Sequence, residues 1–417
     1  MKILYVAHRL PYPADKGDKI RSCHQLEYLA ARHDVWCAAF FDDPADATHV
    51  PTLRRWCAGV HAVPLSRSVA AVRGALRLAV GGTITEGFYR NREMSDVLRR
   101  WSAAVEFDAA LFFSSGVAPY RDAVRARRVV LDLCDCDSLK WQAYAERASG
   151  LRSWLYGTEA HRLRRRESHW LGAFDACTVV TRGEADALRR TGAIRGTGVP
   201  PVTTGARLPR HDSPDALSDR LHIIGNGADI GMEPLRTADR ADPVIGFVGQ
   251  MDYAPNIDAV RWFADCVFPV VRNRAPNATL EIVGRAPTRA VRTLAGRENI
   301  RVTGAVPDVR PRLERFAVSV APLRIGRGIQ NKVLEAMSAA RPVVLTSISA
   351  AGIDAVAGRH FLIADDPQSY ADAIVRLLNA PAERAAIGAA ARAWVAQNAS
   401  WPHELARLES LLTGGSQ

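Results

Sequence analysis

Short apolar runs of strand length recur along this chain, and most are followed by a stretch with helical spacing. In the first half they are Lys2–Ala7, Asp34–Phe40, Val60–Pro64, Ala109–Phe113, Val129–Leu133, Cys177–Thr181 and Leu221–Ile224. In the second half they are Val244–Val248, Thr279–Val283, Ile300–Thr303, Val318–Ala321 and Pro342–Leu345. Between them lie helical patterns, such as Ile20–Arg32, where Ile20, Cys23, Leu26 and Ala30 share a face. Uninterrupted apolar strands alternating with helices require a parallel sheet covered on both sides. A chain of 417 residues exceeds one ordinary core. The expected architecture is therefore α/β, with two doubly wound parallel-sheet domains facing a cleft and ligands at the carboxyl ends of the strands. The pattern breaks at 191–220, a Gly/Pro-rich insertion, so the expected domains are 1–229 and 243–400. Residues 230–242 read as a linker and 401–417 as a terminal helix and tail.

The run from Pro322 to Met337 carries the most chemistry. A buried strand ending at Ala321 leads into a loop with Gly326 and Gly328, then a helix from Asn331. Glycines let backbone N–H groups approach a phosphate, and a helix start adds partial positive charge. Arg324 and Arg327 lie on the loop and Lys332 in the first helical turn. The helix dipole disfavours cations there unless an anion sits above them. Glu335 falls one turn after Asn331, placed to accept two sugar hydroxyls. A solvated basic loop with a surface glutamate is the competing reading.

The net charge is +11, spread along the chain, which favours anionic partners. Nucleic acid is disfavoured, because no basic patch is interleaved with aromatics. The seven cysteines include no CxxC pair, which fits a reducing cytoplasm. The N-terminal run is too short for a signal peptide, and no window has the ~20 apolar residues of a membrane helix. Val69, Val72, Leu76 and Val80 with Arg67, Arg73 and Arg77 make a basic amphipathic stretch. It fits peripheral contact with an anionic membrane or, alternatively, an ordinary helix packed on the sheet.

Several segments, taken in order, resemble a GT-B glycosyltransferase of family 4, in particular the sugar transferases found with exopolysaccharide and PEP-CTERM protein-sorting loci. Phe247-Val-Gly249-Gln-Met-Asp-Tyr-Ala-Pro-Asn256 is similar to the first strand and loop of the donor domain. Ile282-Val-Gly284 resembles its second strand end, and Val302-Thr-Gly-Ala-Val306 the loop that receives the nucleobase. Gly328-Ile-Gln-Asn-Lys332-Val-Leu-Glu335 followed by Arg341-Pro-Val-Val344 is the strongest stretch, and Asn226-Gly-Ala-Asp229 resembles the turn closing the acceptor domain. The chain departs from the pattern in places. Arg327 stands where many members carry a first glutamate, and Gln250 and Asn256 where they carry an arginine and a lysine. Arg324, Arg327 and Lys332 are expected to supply that charge. On the acceptor side Gly17, with Lys16, Asp18, Lys19 and Arg21 around it, falls on the loop that faces the donor diphosphate in the family, or else is a plain turn with a charged rim. Asp135 and Asp137 follow the strand Val129–Leu133, where many members have a histidine near the reacting sugar. Capping of the next helix by Asp137 or Ser138 is the alternative.

The resemblance implies retaining transfer of a sugar from a nucleotide-sugar donor to a glycan or lipid-linked acceptor. It needs no side-chain nucleophile; the protein positions the reactants and stabilises the departing diphosphate. Asp135, Asp137, Arg327 and Lys332 are the expected catalytic residues. Gly17, Gly249, Val306, Arg324, Gly328, Asn331 and Glu335 are expected to bind the donor. No metal or other cofactor is expected, since the cations replace one. A sugar-nucleotide epimerase and a non-catalytic nucleotide-sugar-binding scaffold are the alternatives.

Overall fold

The computed structural model describes residues 1–14, 17–193, 219–230, 243–326 and 328–415. The expected 191–220 insertion and 230–242 linker therefore fall almost wholly outside the described residues. The chain forms two compact units, Met1–Gly225 with Leu405–Gln417, and Asn226–Glu404.

The first unit holds a sheet of β1 (Lys2–Ala7), β2 (Asp34–Phe41), β3 (Gly59–Pro64), β4 (Phe107–Phe113), β5 (Ala126–Cys134), β6 (Ala176–Val179) and β7 (Leu221–Ile223) in the order β3-β2-β1-β4-β5-β6-β7. Every pairing is parallel. Leu4, Val6, Phe40, Phe112 and Leu131 form its core. Strand order reverses between β1 and β4, and such a switch point opens a crevice at the carboxyl ends of the two strands.

The second unit repeats the plan with β8 (Val244–Val248), β9 (Thr279–Val283), β10 (Ile300–Gly304), β11 (Phe316–Ala321), β12 (Val343–Leu345) and β13 (Leu362–Ile363) in the order β10-β9-β8-β11-β12-β13, again all parallel. Ile245, Phe247, Ile282, Val318 and Tyr370 pack in one buried cluster. Val283, Phe316, Leu334, Met337 and Val395 pack in another. Here the order reverses between β8 and β11.

Some differences from the sequence reading have clear causes. The helix expected over Ile257–Arg272 is Ala254–Trp262, a π turn Phe263–Val267 and Phe268–Arg274. Pro269 lacks the N–H that a continuous α-helix would use, and a π turn absorbs the missing bond. The helical region to Leu171 is two helices, Asp137–Arg147 and Gly150–Ala173, broken at Gly150 with φ +59°. The last helix, Trp401–Thr413, is more than a tail. Tyr28 donates to Glu409 (2.9 Å), His33 Nε2 lies 2.7 Å from the same carboxylate, and Arg407 donates to the Ile223 carbonyl (2.8 Å). Most of this helix therefore belongs to the first unit. The turn from Asn226 belongs to the second: the Ala228 N–H donates to the Ala399 carbonyl (2.9 Å). A Cβ on Gly227 would lie 2.4 Å from the Trp401 nitrogen, so only glycine permits that approach.

Candidate active site

In the second unit the loops after β8, β9 and β10 are zipped together by backbone. Gly249 N–H donates to the Val283 carbonyl (3.0 Å), Met251 N–H to Arg285 (2.9 Å), and Gly284 N–H to Gly304 (3.2 Å). A Cβ on Gly284 would stand 1.6 Å from the Gly249 carbonyl oxygen, so close approach requires glycine at 284. Gly328 has φ +74°, the left-handed region, where it turns the loop after β11 into the helix Asn331–Ser338. Its N-cap residue, Gln330, makes no side-chain cap bond. Its start offers N–H groups to a ligand.

Lys332 and Glu335 are one turn apart on this helix, and both are partly buried. The Lys332 ammonium donates to Asn256 Oδ1 (2.6 Å) and lies 4.8 Å from the centre of the Phe247 ring. Asn256 is held in turn by donating to the Gln250 carbonyl (2.9 Å). The position expected to lack a cation thus receives one from the neighbouring helix. Burial brings the Lys332 pKa down to about 7, only partly offset by Glu335. Burial likewise brings Glu335 up to about 7, with Lys332 opposing and Asp229 adding to the rise. Asn331 accepts from the Asn226 amide (2.8 Å), which fixes its side chain. Val306 is partly buried and packs against the second buried cluster of this unit.

Arg324, half exposed, has a carboxylate partner. Asp258 holds its guanidinium with two bonds of 3.1 and 2.6 Å, so its charge is already answered. Arg324 and Asp258 are 66 positions apart, a pairing invisible to local pattern. Arg327 lies outside the described residues. Arg285 was missed. It follows the glycine ending β9 and donates to Gln250 Oε1 (3.3 Å), which puts its guanidinium beside the position where the family arginine is absent. The signal was available, since a cation one residue past a strand-end glycine falls at the carboxyl edge of the sheet.

In the first unit, Gly17 opens the helix Gly17–Ala30, and among the described residues nothing lies within 4 Å of where its Cβ would be. Lys16 lies outside the described residues. The charged rim expected beside Gly17 is interior. Lys19 is buried against Asp46 (2.7 Å), and Arg21 against Asp132 (2.8 Å) and the Gly225 carbonyl (2.6 Å). Neither cation is free to meet a diphosphate. Asp18 takes Arg9 at 2.5 Å and His8 at 3.3 Å. Burial works against its charge, but the His8 bond and the charges of His8 and Arg9 hold its pKa well below the usual carboxylate range.

Asp135 and Asp137 are brought to the same end of the sheet but differ in setting. Asp135 is exposed, just past Cys134 at φ +59°, and carries no hydrogen bond among the described residues. Asp137 is tied to Ser115 and to Lys140 (2.5 Å). Burial opposes its charge, yet Lys140 and the two bonds keep its pKa below the ordinary value. Neither Asp137 nor Ser138 caps the helix. Glu184 accepts from the Cys136 N–H (3.1 Å) and Glu167 from the Ser138 N–H (3.0 Å), so carboxylates from other helices satisfy its start. His8, at the end of β1, was also missed. Its ring stacks on Phe113 (5.7 Å), meets Tyr89 edge-on (5.8 Å), and leaves a buried Nδ1 without a hydrogen-bond partner among the described residues. Among the described residues no three His, Cys, Asp or Glu side chains group as a metal site would.

Residues 242–380 match the family model described as glycosyl transferases group 1. That stretch covers a third of the chain and lies within the second unit. The match spans the β8 glycine, Arg285 and the Lys332–Glu335 helix. The whole chain is similar to solved structures of the same plan. Anabaena Alr3699/HepE, solved in complex with UDP, is 15% identical with a TM-score of 0.65, covering 99% of this chain and all of that one. The sucrose-phosphate synthase of Thermosynechococcus elongatus is 16% identical with a TM-score of 0.66, covering 99% and 98%. These likenesses and the two sheets give the fold as GT-B. An uncharacterized 44.6 kDa protein in the cps region of Klebsiella pneumoniae is 21% identical over 388 residues, 90% of each chain.

Proposed function

We propose that this protein transfers a sugar from a nucleotide sugar to a glycan or lipid-linked acceptor, with retention at the anomeric carbon, as a family 4 enzyme of cell-surface polysaccharide synthesis at the cytoplasmic face of the membrane. The observation that carries the reading is the Lys332–Glu335 pair on an uncapped helix start, at the switch point of a glycosyltransferase group 1 domain. A partly neutral lysine and a partly neutral glutamate are stable without ligand. A diphosphate favours the ammonium, and ribose hydroxyls favour the carboxylate. The UDP complex of the Anabaena relative supports UDP as the nucleotide, and the Klebsiella cps-region relative supports a polysaccharide product.

In the proposed reaction the bond from the anomeric carbon to the β-phosphate oxygen breaks, and the acceptor oxygen bonds to that carbon on the same face. The acceptor proton passes to the departing phosphate. Lys332, Arg285 and the helix N–H groups stabilise the developing diphosphate charge, which is the main electrostatic demand of the step. Gly249 and Gly328 leave room for the donor, Val306 lines the nucleobase and Asn331 orients the helix start. On the first unit, Asp135 is the proposed catalytic carboxylate and Asp137 holds its loop. No metal is required in this scheme.

A second reading, nucleotide-sugar binding without transfer, is favoured by one observation: Asp258 answers the charge of Arg324. Incubation with a panel of nucleotide sugars and lipid or glycan acceptors separates the two. Acceptor-dependent nucleotide release, with an anomeric proton signal of unchanged configuration in the product, supports transfer. Tight binding of a nucleotide sugar with no release under any acceptor supports the second reading.

A further inference from the structure

We infer that the helix Arg67–Ala79, with the start of the helix Gly150–Ala173, forms a docking surface for an anionic lipid bilayer. The first helix is packed the opposite way from an ordinary amphipathic helix. It buries its small face, Ala70 and Gly74 with Leu78, and turns its large residues outward. Val69, Val72, Leu76 and Val80 are 55%, 61%, 63% and 73% exposed. Their spacing puts them in one narrow stripe about 16 Å long at the usual helical rise. The helix packs through Ala70, Gly74 and Leu78, and the large apolar side chains of the stripe are left to solvent.

A neighbouring helix, Gly150–Ala173, clasps the end of the first. Arg162 donates to the carbonyls of Leu78 and Gly82, and Glu159 accepts from the N–H groups of Ile84 (2.6 Å) and Thr85 (2.9 Å). Trp154 and Leu151, 64% and 78% exposed, lie within two to three turns before those clasps. Exposed large apolar side chains gathered this way mark an interaction site.

Charge selects the occupant. Residues 67–80 contain three arginines and no Asp or Glu. Arg73 and Arg77 fall beside the apolar stripe on the helical wheel; Arg73 is half-buried and donates to the Phe88 carbonyl (3.4 Å), and Arg67 at the helix start is paired with Asp42 (2.7 Å). Arg77 and Arg166 share one carboxylate, Glu86 (3.8 and 2.6 Å), and Arg162 spends donors on backbone carbonyls. Arg67, Arg73, Arg77, Arg162 and Arg166, with the exposed Arg147 and Arg152 near Leu151 and Trp154 in sequence, outnumber the carboxylates Asp42, Glu86, Glu146 and Glu159, so the surface stays net positive. An exposed apolar stripe with arginines beside it, and an exposed tryptophan on the helix that clasps it, suits a bilayer interface. The inference stands apart from the donor chemistry, since none of these residues is in the proposed donor site.

The test is flotation of the full chain with vesicles of phosphatidylcholine alone or with about 40% phosphatidylglycerol, the anionic headgroup fraction a polybasic surface responds to. Binding to the anionic vesicles only, weakening severalfold as salt rises from about 0.1 to about 0.5 M, is expected. The paired substitution Val72→Ser with Leu76→Ser should lower it at least about tenfold at an unchanged melting temperature. Trp154→Ser, on the other helix, should lower it independently. Equal binding to both vesicle types, or full binding by both variants, overturns the proposal. So does a wild-type dimer that ignores vesicles and dissociates in the paired variant, which would assign the stripe to a second copy of this chain.

Discussion

The Lys332–Glu335 pair makes donor binding depend on pH in a way that each partner shapes separately. In the free protein both groups have pKa values near 7, Lys332 lowered and Glu335 raised, each chiefly by burial. Diphosphate raises the Lys332 value on binding, and ribose hydroxyls lower that of Glu335. A group whose pKa rises on binding tightens the complex as pH falls, and one whose pKa falls tightens it as pH rises. Together they give a bell centred near pH 7. If binding returns both to ordinary values of ~10.4 and ~4.3, affinity falls about twentyfold by pH 5 and again by pH 9. Lys332→Met should abolish the alkaline fall and keep the acid one; Glu335→Gln should do the reverse. The assay is calorimetric titration with a nucleotide sugar, whose diphosphate does not itself titrate in this range. An affinity flat from pH 5 to 9, or both limbs surviving in either variant, refutes the reasoning.

Asp135→Asn is nearly isosteric and should lower turnover at least about tenfold with little change in melting temperature, whereas a merely structural residue would shift stability by ~0.5–2 kcal/mol and leave turnover normal. Arg285→Met should weaken donor binding about ten- to a hundredfold, the scale of a lost charge-assisted bond, while Gln250→Ala changes it little. Equal effects of the two in titration would make Arg285 structural. Chelation with EDTA should leave initial rates within about twofold, because cations and helix N–H groups meet the diphosphate. Activity lost to EDTA and restored by magnesium or manganese would contradict that.

The strand pattern was legible because parallel strands buried on both faces are written as short apolar runs, from Lys2–Ala7 to Pro342–Leu345. Helix interruptions were less so: Pro269 stands in the sequence, but whether it breaks a helix or is absorbed by a π turn depends on packing. The helix start carrying Lys332 and Glu335 was legible, since glycine spacing and a cation at N-terminal positions are local signals. What was not legible was pairing across the sequence. Arg324 looks free until Asp258 is beside it; Lys19 and Arg21 look like a charged rim until Asp46 and Asp132 bury them. Asn256 looks like a lost cation until Lys332 arrives from another helix. The exposure of Val69, Val72, Leu76 and Val80 was equally hidden, because periodicity defines a stripe but not which face the fold covers.

The central claim is that the second unit holds a nucleotide-sugar donor at the start of the helix Asn331–Ser338. A crystal structure of the protein with the nucleotide sugar bound tests it most directly. The account predicts the diphosphate within hydrogen-bond distance of Lys332 Nζ and the first helical N–H groups, with ribose hydroxyls donating to Glu335. A nucleotide seated elsewhere, or a Glu335 carboxylate with no ribose contact, would contradict it.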